Sequence, residues 1–89
     1  MNYSWTIELT GGVFDDEDAY VVSLSESGSA GFRSWRYAIP AVDTALPELI
    51  RDIGRRHPAF TRAINDAFVE YLSHPDLRRT SGDFYVSGL

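Results

Sequence analysis

The chain has 89 residues, 44% of them hydrophobic, and a formal net charge of -5 at pH 7. This length suits one modest hydrophobic core, so we predict that residues 1–89 form a single domain. The absence of cysteine excludes disulfides, thiolate catalysis and cysteine-ligated zinc, and the net negative charge disfavours direct binding to nucleic acid, whose affinity depends on neutralised phosphates.

The negative charge is concentrated in the first third of the chain. Residues 1–32 contain six carboxylates and no basic residue, whereas residues 33–89 contain eight arginines and seven carboxylates. No apolar run approaches the roughly 18 residues needed to cross a bilayer, and residues 1–10 lack the basic and apolar regions of a signal peptide. We therefore expect a soluble cytoplasmic protein with no membrane partner.

Three segments of the first half alternate in the way that predicts half-buried strands: residues 3–10, 19–25 and 32–39. The first two should pair antiparallel, with a turn or bulge at Gly11-Gly12 and the acidic residues 15–18 in the loop between them. Residues 25–31 are rich in serine and glycine and predict a flexible connection. The side chains expected on the shared face are Tyr3, Trp5, Ile7, Leu9, Tyr20, Val22, Leu24, Trp35, Tyr37 and Ile39.

Two helices follow the third strand. The first is capped by Asp43 or Thr44 and ends near Gly54, with Leu46, Leu49, Ile50 and Ile53 at helical spacing. The second covers residues 59–72 and has the widest apolar stripe of the chain. We expect four members of that stripe to be buried against the sheet: Phe60, Ile64, Phe68 and Leu72.

The last apolar segment, residues 84–86, is either a fourth strand or an ordered tail, and we favour the strand. The prediction is therefore an α+β fold, in which a small three- to four-stranded antiparallel sheet is packed on one face by two α-helices. The element order is β-β-β-α-α-β.

The acidic run Asp15-Asp16-Glu17-Asp18 has three possible roles. Four carboxylates could collect a hard divalent cation, but contiguous side chains diverge, whereas the ligands of known loops alternate. A solvated hairpin tip that discourages edge pairing is the plainest interpretation. The third is an acidic patch that docks on a basic partner, because clustered charge of one sign steers association.

Arginines and aromatic residues interleave at Arg33, Trp35, Arg36 and Tyr37. Such a pattern could stack nucleic-acid bases, or it could form a protein-binding hot spot if Trp35 is exposed. The structural alternative places Trp35 and Tyr37 in the core and Arg36 on the outer face, paired with a strand acid such as Glu8.

Other polar residues form no catalytic pattern. His57 and His74 each precede proline at a helix boundary, which predicts a structural role with a solvated ring, and no zinc spacing surrounds them. The serines of residues 23–29 lack a nucleophile-elbow motif, and the glycines of residues 28–31 lack the lysine of a phosphate loop. We therefore expect no enzyme activity, no metal and no cofactor.

These features favour a non-enzymatic protein-interaction module, most plausibly a small acidic inhibitor or an immunity or anti-defence type of protein that binds a basic site on a partner. The alternative is a homodimeric or small-ligand-binding accessory subunit of a larger enzyme complex, using a space lined by Trp35, Tyr37 and Tyr71. Both a monomer and a homodimer are compatible with the sequence. The candidate partner-binding residues are Asp15, Asp16, Glu17, Asp18, Glu26, Arg33, Trp35 and Arg36.

Overall fold

A computed structural model of the chain describes residues 1–14, 17–29, 31–42, 44–73 and 79–86, without the side chains of residues 12–14, 17 and 72. The strands are β1 (Asn2–Phe14), β2 (Glu17–Gly28), β3 (Gly31–Pro40) and β4 (Arg79–Tyr85). The helices are α1 (Ala45–Arg56) and α2 (Thr61–Ser73), joined through a single 3-10 turn at Pro58–Phe60. The α+β class and the order β-β-β-α-α-β are confirmed.

The four strands form one antiparallel sheet in the order β3-β2-β1-β4. The register places Trp5 of β1 opposite Leu24 of β2 and Gly82 of β4, and Leu24 opposite Trp35 of β3. Directly paired residues share a face, so the predicted alternation builds one apolar face that both helices cover. The opposite face carries the intervening, mostly polar residues, of which Ala19 and Val21 are buried. We call it the open face because neither helix covers it.

The hydrophobic core lies between the apolar sheet face and the two helices. The predicted stripe of α1 is buried in full, and Phe60 and Ile64 are buried as expected. Phe68 is only partly buried at the edge of the cluster, which corrects its predicted place in the core, and the Leu72 side chain lies outside the described residues. The core consists of Ile7, Val22, Leu24, Leu46, Leu49, Ile50, Ile53, Phe60, Ile64, Ala67 and Tyr71.

The serine-rich connection predicted at residues 25–31 is wrong. β2 continues to Gly28, which pairs with Gly31 across a tight turn, and Gly31 has a φ of 129° that favours glycine. Ser25 is held between Ser4 and Ser34 of the neighbouring strands. Serine has a low intrinsic strand preference, but ladder hydrogen bonds on both sides of a central strand outweigh it.

The hairpin between β1 and β2 is also longer than predicted. β1 passes Gly11 and continues to Phe14, with an irregular register between Thr10 and Phe14, so the bulge alternative is the correct one. Glu17 and Asp18 begin β2 rather than lying in a loop, while Asp15 and Asp16 lie outside the described residues.

The fourth strand exists and begins five residues before the predicted start at residue 84. Its polar residues alternate with Thr80, Gly82 and Phe84, which occupy the helix-facing side at half-buried positions. An edge strand with a polar outer face has too few large apolar residues for its length to be predicted.

Among the described residues, neither helix combines the length and the apolar character that crossing a bilayer demands.

Candidate functional site

The structure does not bring the eight predicted partner-binding residues together. Asp15 and Asp16 lie outside the described residues, and only the backbone of Glu17 is described. Asp18 is exposed at the start of β2, whereas Glu26 lies eight residues further along the strand, a separation of about 26 Å for extended chain. Asp18 and Glu26 therefore lie at opposite ends of β2.

Glu26 and Arg33 form a pair with each other. They lie opposite one another in β2 and β3, and the Arg33 Nε atom is 3.9 Å from the Glu26 Oε1 atom. The Arg33 side chain is 76% exposed, so this contact contributes about 1 kcal/mol or less. It closes the turn end of the β2–β3 hairpin.

Trp35 and Arg36 lie on opposite faces of β3. Trp35 is half-buried against the core, with its ring centroid 4.6 Å from that of His57, so the structural interpretation of this aromatic residue is confirmed. Arg36 is exposed on the open face as expected, but it lies opposite Ser23. Glu8 lies opposite Val21 and Arg79, and among the described residues no ion pair joins it to Arg36.

His57 is not the solvated residue that its position before proline predicted. It ends α1, is half-buried, and places its Nε2 atom 2.6 Å from the Tyr37 hydroxyl. Burial lowers the pKa of His57 from the ordinary value of 6.5, the nearby Arg56 lowers this pKa further, and Glu26 partly opposes both effects. The hydrogen bond between the Tyr37 hydroxyl and His57 Nε2 ties the end of α1 to β3.

The space that was considered for a ligand is filled by the protein itself. Trp35 and Tyr37 pack against the core cluster, and Tyr71 is buried within it, with its ring 6.2 Å from that of Tyr20. Trp35, Tyr37 and Tyr71 therefore do not line an empty chamber for a ligand. The alternative of a homodimeric or ligand-binding subunit stays a prediction.

A groove of about 520 Å³ lies between α2 and β4. We call it the α2–β4 groove. Small side chains on one face of α2, at intervals of four residues, form one wall, and the edge strand forms the other. The lining residues are Trp5, Ala59, Arg62, Ala63, Asp66, Ala67, Glu70, Ser81, Gly82, Asp83 and Phe84.

The floor of the groove depends on the contact between Trp5 and Gly82. Trp5 lies opposite Gly82 in the ladder, and a Cβ atom at position 82 would approach the indole Cζ2 atom to 2.6 Å. The indole therefore leans over the backbone of β4 toward the sheet edge. Glycine within a strand marks such a close approach, and here it allows an aromatic surface to reach the groove.

The rim of the groove is acidic. Asp66 and Glu70 of α2 contribute two carboxylates and Arg62 contributes one positive charge, whereas Asp83 of β4 lies opposite Ser4 and belongs to the open face of the sheet. All four residues are exposed. None of them forms an ion pair with another described residue, so these charges are available to a bound molecule.

A second depression lies on the open face of the sheet. It has a volume of about 400 Å³ and a lining rich in short hydroxyl side chains, with Arg36 as its charged residue. The hydroxyls of Ser4 and Ser25 hydrogen bond to each other within this lining. Because these groups partly satisfy one another, this depression is a weaker candidate than the α2–β4 groove.

Sequence reasoning missed the α2–β4 groove because its parts are distant in the chain and individually unremarkable. Ala63 and Ala67 belong to the apolar stripe of residues 59–72, and residue 82 lies before the strand predicted at residues 84–86. The available signals were the four-residue spacing of the alanines and a glycine two residues before Phe84.

Within the described ranges, no three histidine, aspartate or glutamate side chains are grouped closely enough to hold a metal ion. No protein-family model matches the chain, and neither a curated protein nor a solved structure is similar to it. The function is therefore inferred from the chemistry of the α2–β4 groove.

Proposed function

We propose that this chain is a non-enzymatic protein-interaction module of the acidic inhibitor type, which binds a basic site on a partner protein. The observation that carries the proposal is the α2–β4 groove, whose apolar floor is bordered by two carboxylates and one arginine of α2. An apolar centre with a charged border is the usual composition of a protein-binding surface.

The charge of the rim supports a basic partner. Asp66 and Glu70 would meet lysine or arginine side chains, while the single Arg62 leaves the rim with a net negative charge. The exposed Asp18 and the other carboxylates of the first third add a longer-range attraction to a positively charged surface. Two roles follow for the acids: the groove rim contributes to affinity, and the N-terminal acids increase the association rate.

The test is the affinity of a purified partner for charge variants of the full chain. Proteins retained by the immobilised chain from an extract of its native host are identified, and each one is purified and titrated calorimetrically. The double variant Asp66→Asn/Glu70→Gln should weaken binding about tenfold, because each substitution removes a charge but keeps the shape of the side chain. The matched control is Glu48→Gln/Asp52→Asn, which removes two exposed carboxylates of α1 outside the groove and should change the affinity less than twofold, roughly the effect of a remote rim charge.

The N-terminal acids are tested separately with alanine at Asp15, Asp16, Glu17 and Asp18. This variant should slow association and flatten its dependence on salt between about 0.05 M and about 0.5 M, because long-range attraction is screened over that range. If the partner has no basic surface, or if both sets of acidic residues can be neutralised without loss of affinity, the proposed function is wrong.

A further inference from the structure

β4 is the last strand of the sheet on one side, and its ladder to β1 determines the direction of its backbone groups. Met1 donates its N–H to the Val86 carbonyl, and Val86 donates its N–H to the Met1 carbonyl, both at 3.0 Å. In an antiparallel ladder such hydrogen-bonded pairs recur at every second residue. Phe84, Gly82 and Thr80 therefore direct their N–H and C=O groups toward β1.

The alternate residues of β4 direct their backbone groups the other way, to the free edge of the sheet. These are Arg79, Ser81, Asp83 and Tyr85, and no other described strand pairs with them. A row of unpaired N–H and C=O groups is a template for another strand. The α2–β4 groove lies directly beside this row on the helix-facing side.

The two features match in spacing. An added strand would direct every second side chain toward the groove, and such side chains are about 6.7 Å apart. The rim residues Asp66 and Glu70 are separated by one turn of α2, about 6 Å along the helix axis. A side chain opposite Gly82 would enter the groove over the Trp5 indole, and the next one on that face would reach the carboxylates of the rim.

We infer that the partner binds as a fifth strand on β4, through an extended segment that places an apolar side chain in the α2–β4 groove and a lysine or arginine two residues away. This inference rests on the proposed function and specifies how the basic partner is recognised. Main-chain hydrogen bonds to Arg79, Ser81, Asp83 and Tyr85 provide the pairing, and the groove with its rim selects the sequence.

A second copy of the chain is a poorer occupant of the same edge. In a two-fold pairing of β4 centred on Ser81 or Gly82, the residue opposite Gly82 is Thr80 or Gly82 of the other copy, too small to fill about 520 Å³. A pairing centred on Asp83 would bring Phe84 opposite Gly82 but would also place two Asp83 carboxylates side by side. Phe84 is moreover stacked on Tyr3 of its own chain, with ring centroids 4.9 Å apart.

The experiment uses random peptides of about ten residues, the upper length of a typical strand, displayed and selected against the full chain. Selected peptides are synthesised and titrated against matched variants at Ser81. Ser81→Pro removes an N–H that points to the free edge, whereas Ser81→Ala keeps this N–H and removes only the hydroxyl. Ser81→Pro should weaken binding about tenfold or more, and Ser81→Ala should leave the affinity within about twofold.

The groove is tested by a second matched pair on α2. Ala63→Leu fills the groove and should reduce peptide affinity at least about tenfold through overpacking, whereas Val69→Leu places the same leucine side chain at an exposed position outside the groove and should have no effect. The N–H of Ser81 takes no part in the ladder to β1. The Ser81→Pro variant should therefore melt at the same temperature as the Ser81→Ala variant. If the proline variant does not fold, the pair at positions 63 and 69 decides the outcome.

Loss of binding with Ser81→Pro and Ala63→Leu, together with selection of an apolar residue next to lysine or arginine, supports the fifth strand. Equal affinities for the two Ser81 variants, or a failure to select any peptide, overturn it. A chain dimer that Ser81→Pro dissociates also overturns it, because the second copy is then the occupant. If the selected peptides lack basic residues but still require the Ser81 N–H, the fifth strand is supported and the proposed function is contradicted. If binding is weakened by Asp66→Asn/Glu70→Gln but is unaffected by the Ser81 variants, the proposed function is supported and the fifth strand is contradicted.

Discussion

The Tyr37 hydroxyl lies 2.6 Å from the Nε2 atom of His57 and joins β3 to the residue at which α1 ends. His57 also contacts Trp35 and Phe60, with ring centroids 4.6 and 6.4 Å from its own. Burial among these rings lowers the pKa of the imidazole, and Arg56 lowers it further. The lowered pKa of His57 makes the stability of the fold dependent on pH.

The first prediction concerns that dependence. The unfolded chain binds a proton at His57 with the ordinary pKa of 6.5, and the folded chain binds it only at lower pH, so unfolding takes up a proton in the window below 6.5. The free energy of unfolding should therefore be highest above pH 6.5 and should fall as the pH is lowered through that window. Urea titrations at a series of pH values from pH 8 to pH 5 measure this free energy of unfolding. The substitution His57→Gln should remove the contribution of His57 to the slope of the unfolding free energy against pH, whereas the control His74→Gln should leave that contribution in place. A slope that His57→Gln does not change would contradict the assignment of this pH dependence to His57.

The second prediction concerns Gly82. A methyl group at this position would lie 2.6 Å from the Trp5 Cζ2 atom, so Gly82→Ala must displace the indole from the floor of the α2–β4 groove. We expect a loss of about 1 to 3 kcal/mol in the free energy of unfolding and a change in tryptophan fluorescence, since overpacking shifts the ring. Chemical denaturation followed by fluorescence measures both.

The control for the Gly82→Ala substitution is Gly54→Ala, which we expect to increase the free energy of unfolding rather than lower it. Gly54 lies within α1, and an added Cβ would meet the Thr61 side chain no closer than 3.4 Å, an ordinary contact. Gly54→Ala should stabilise the protein by about 0.5 to 1 kcal/mol, because alanine restricts the unfolded backbone and favours the helix. A loss of stability at position 54 would mean that the Thr61 hydroxyl, 3.1 Å from the Gly54 carbonyl, cannot accommodate the methyl group.

The third prediction separates two phenylalanines of the second helical segment. Phe60 is 2% exposed and makes edge-to-face contacts with Tyr3 and Phe84 at centroid distances of 5.3 and 5.9 Å. Phe60→Ala should therefore cost about 3 to 5 kcal/mol. Phe68 is only partly buried, and Phe68→Ala should cost about 1 to 2 kcal/mol. Equal losses in urea denaturation would contradict the packing described for α2.

The fourth prediction tests the free edge of β4 without any ligand. Amide hydrogens of Thr80, Gly82 and Phe84 are used in the ladder to β1 and should exchange slowly, whereas those of Ser81, Asp83 and Tyr85 should exchange rapidly. Hydrogen exchange followed residue by residue by NMR measures the alternation. Slow exchange at Ser81 and Asp83 in the isolated chain would mean that the edge is already covered.

Most of the fold could be predicted because its elements have strong local periodicity. The alternation of residues 3–10 and the stripe of Leu46, Leu49, Ile50 and Ile53 each predict an element and the face that it buries, and the structure confirms both. The strand boundaries that were predicted wrongly fall where a weak local preference is outweighed by pairing. Ser25 remains extended because two neighbouring strands hydrogen bond to it, and nothing in its local sequence records that.

Taken alone, the amino-acid sequence determined the α+β class, the order of the elements, the apolar face of the sheet and the excess of carboxylates in the first third. Only the tertiary structure decided that Glu26 and Arg33 neutralise each other, that His57 is tied to Tyr37, and that α2 and β4 form an acidic groove beside a free strand edge. The reason is physical. Periodicity within a segment reports which side of that segment is buried, whereas a groove depends on the distance between segments, and Trp5 reaches the groove only because Gly82, 77 residues away, carries no side chain.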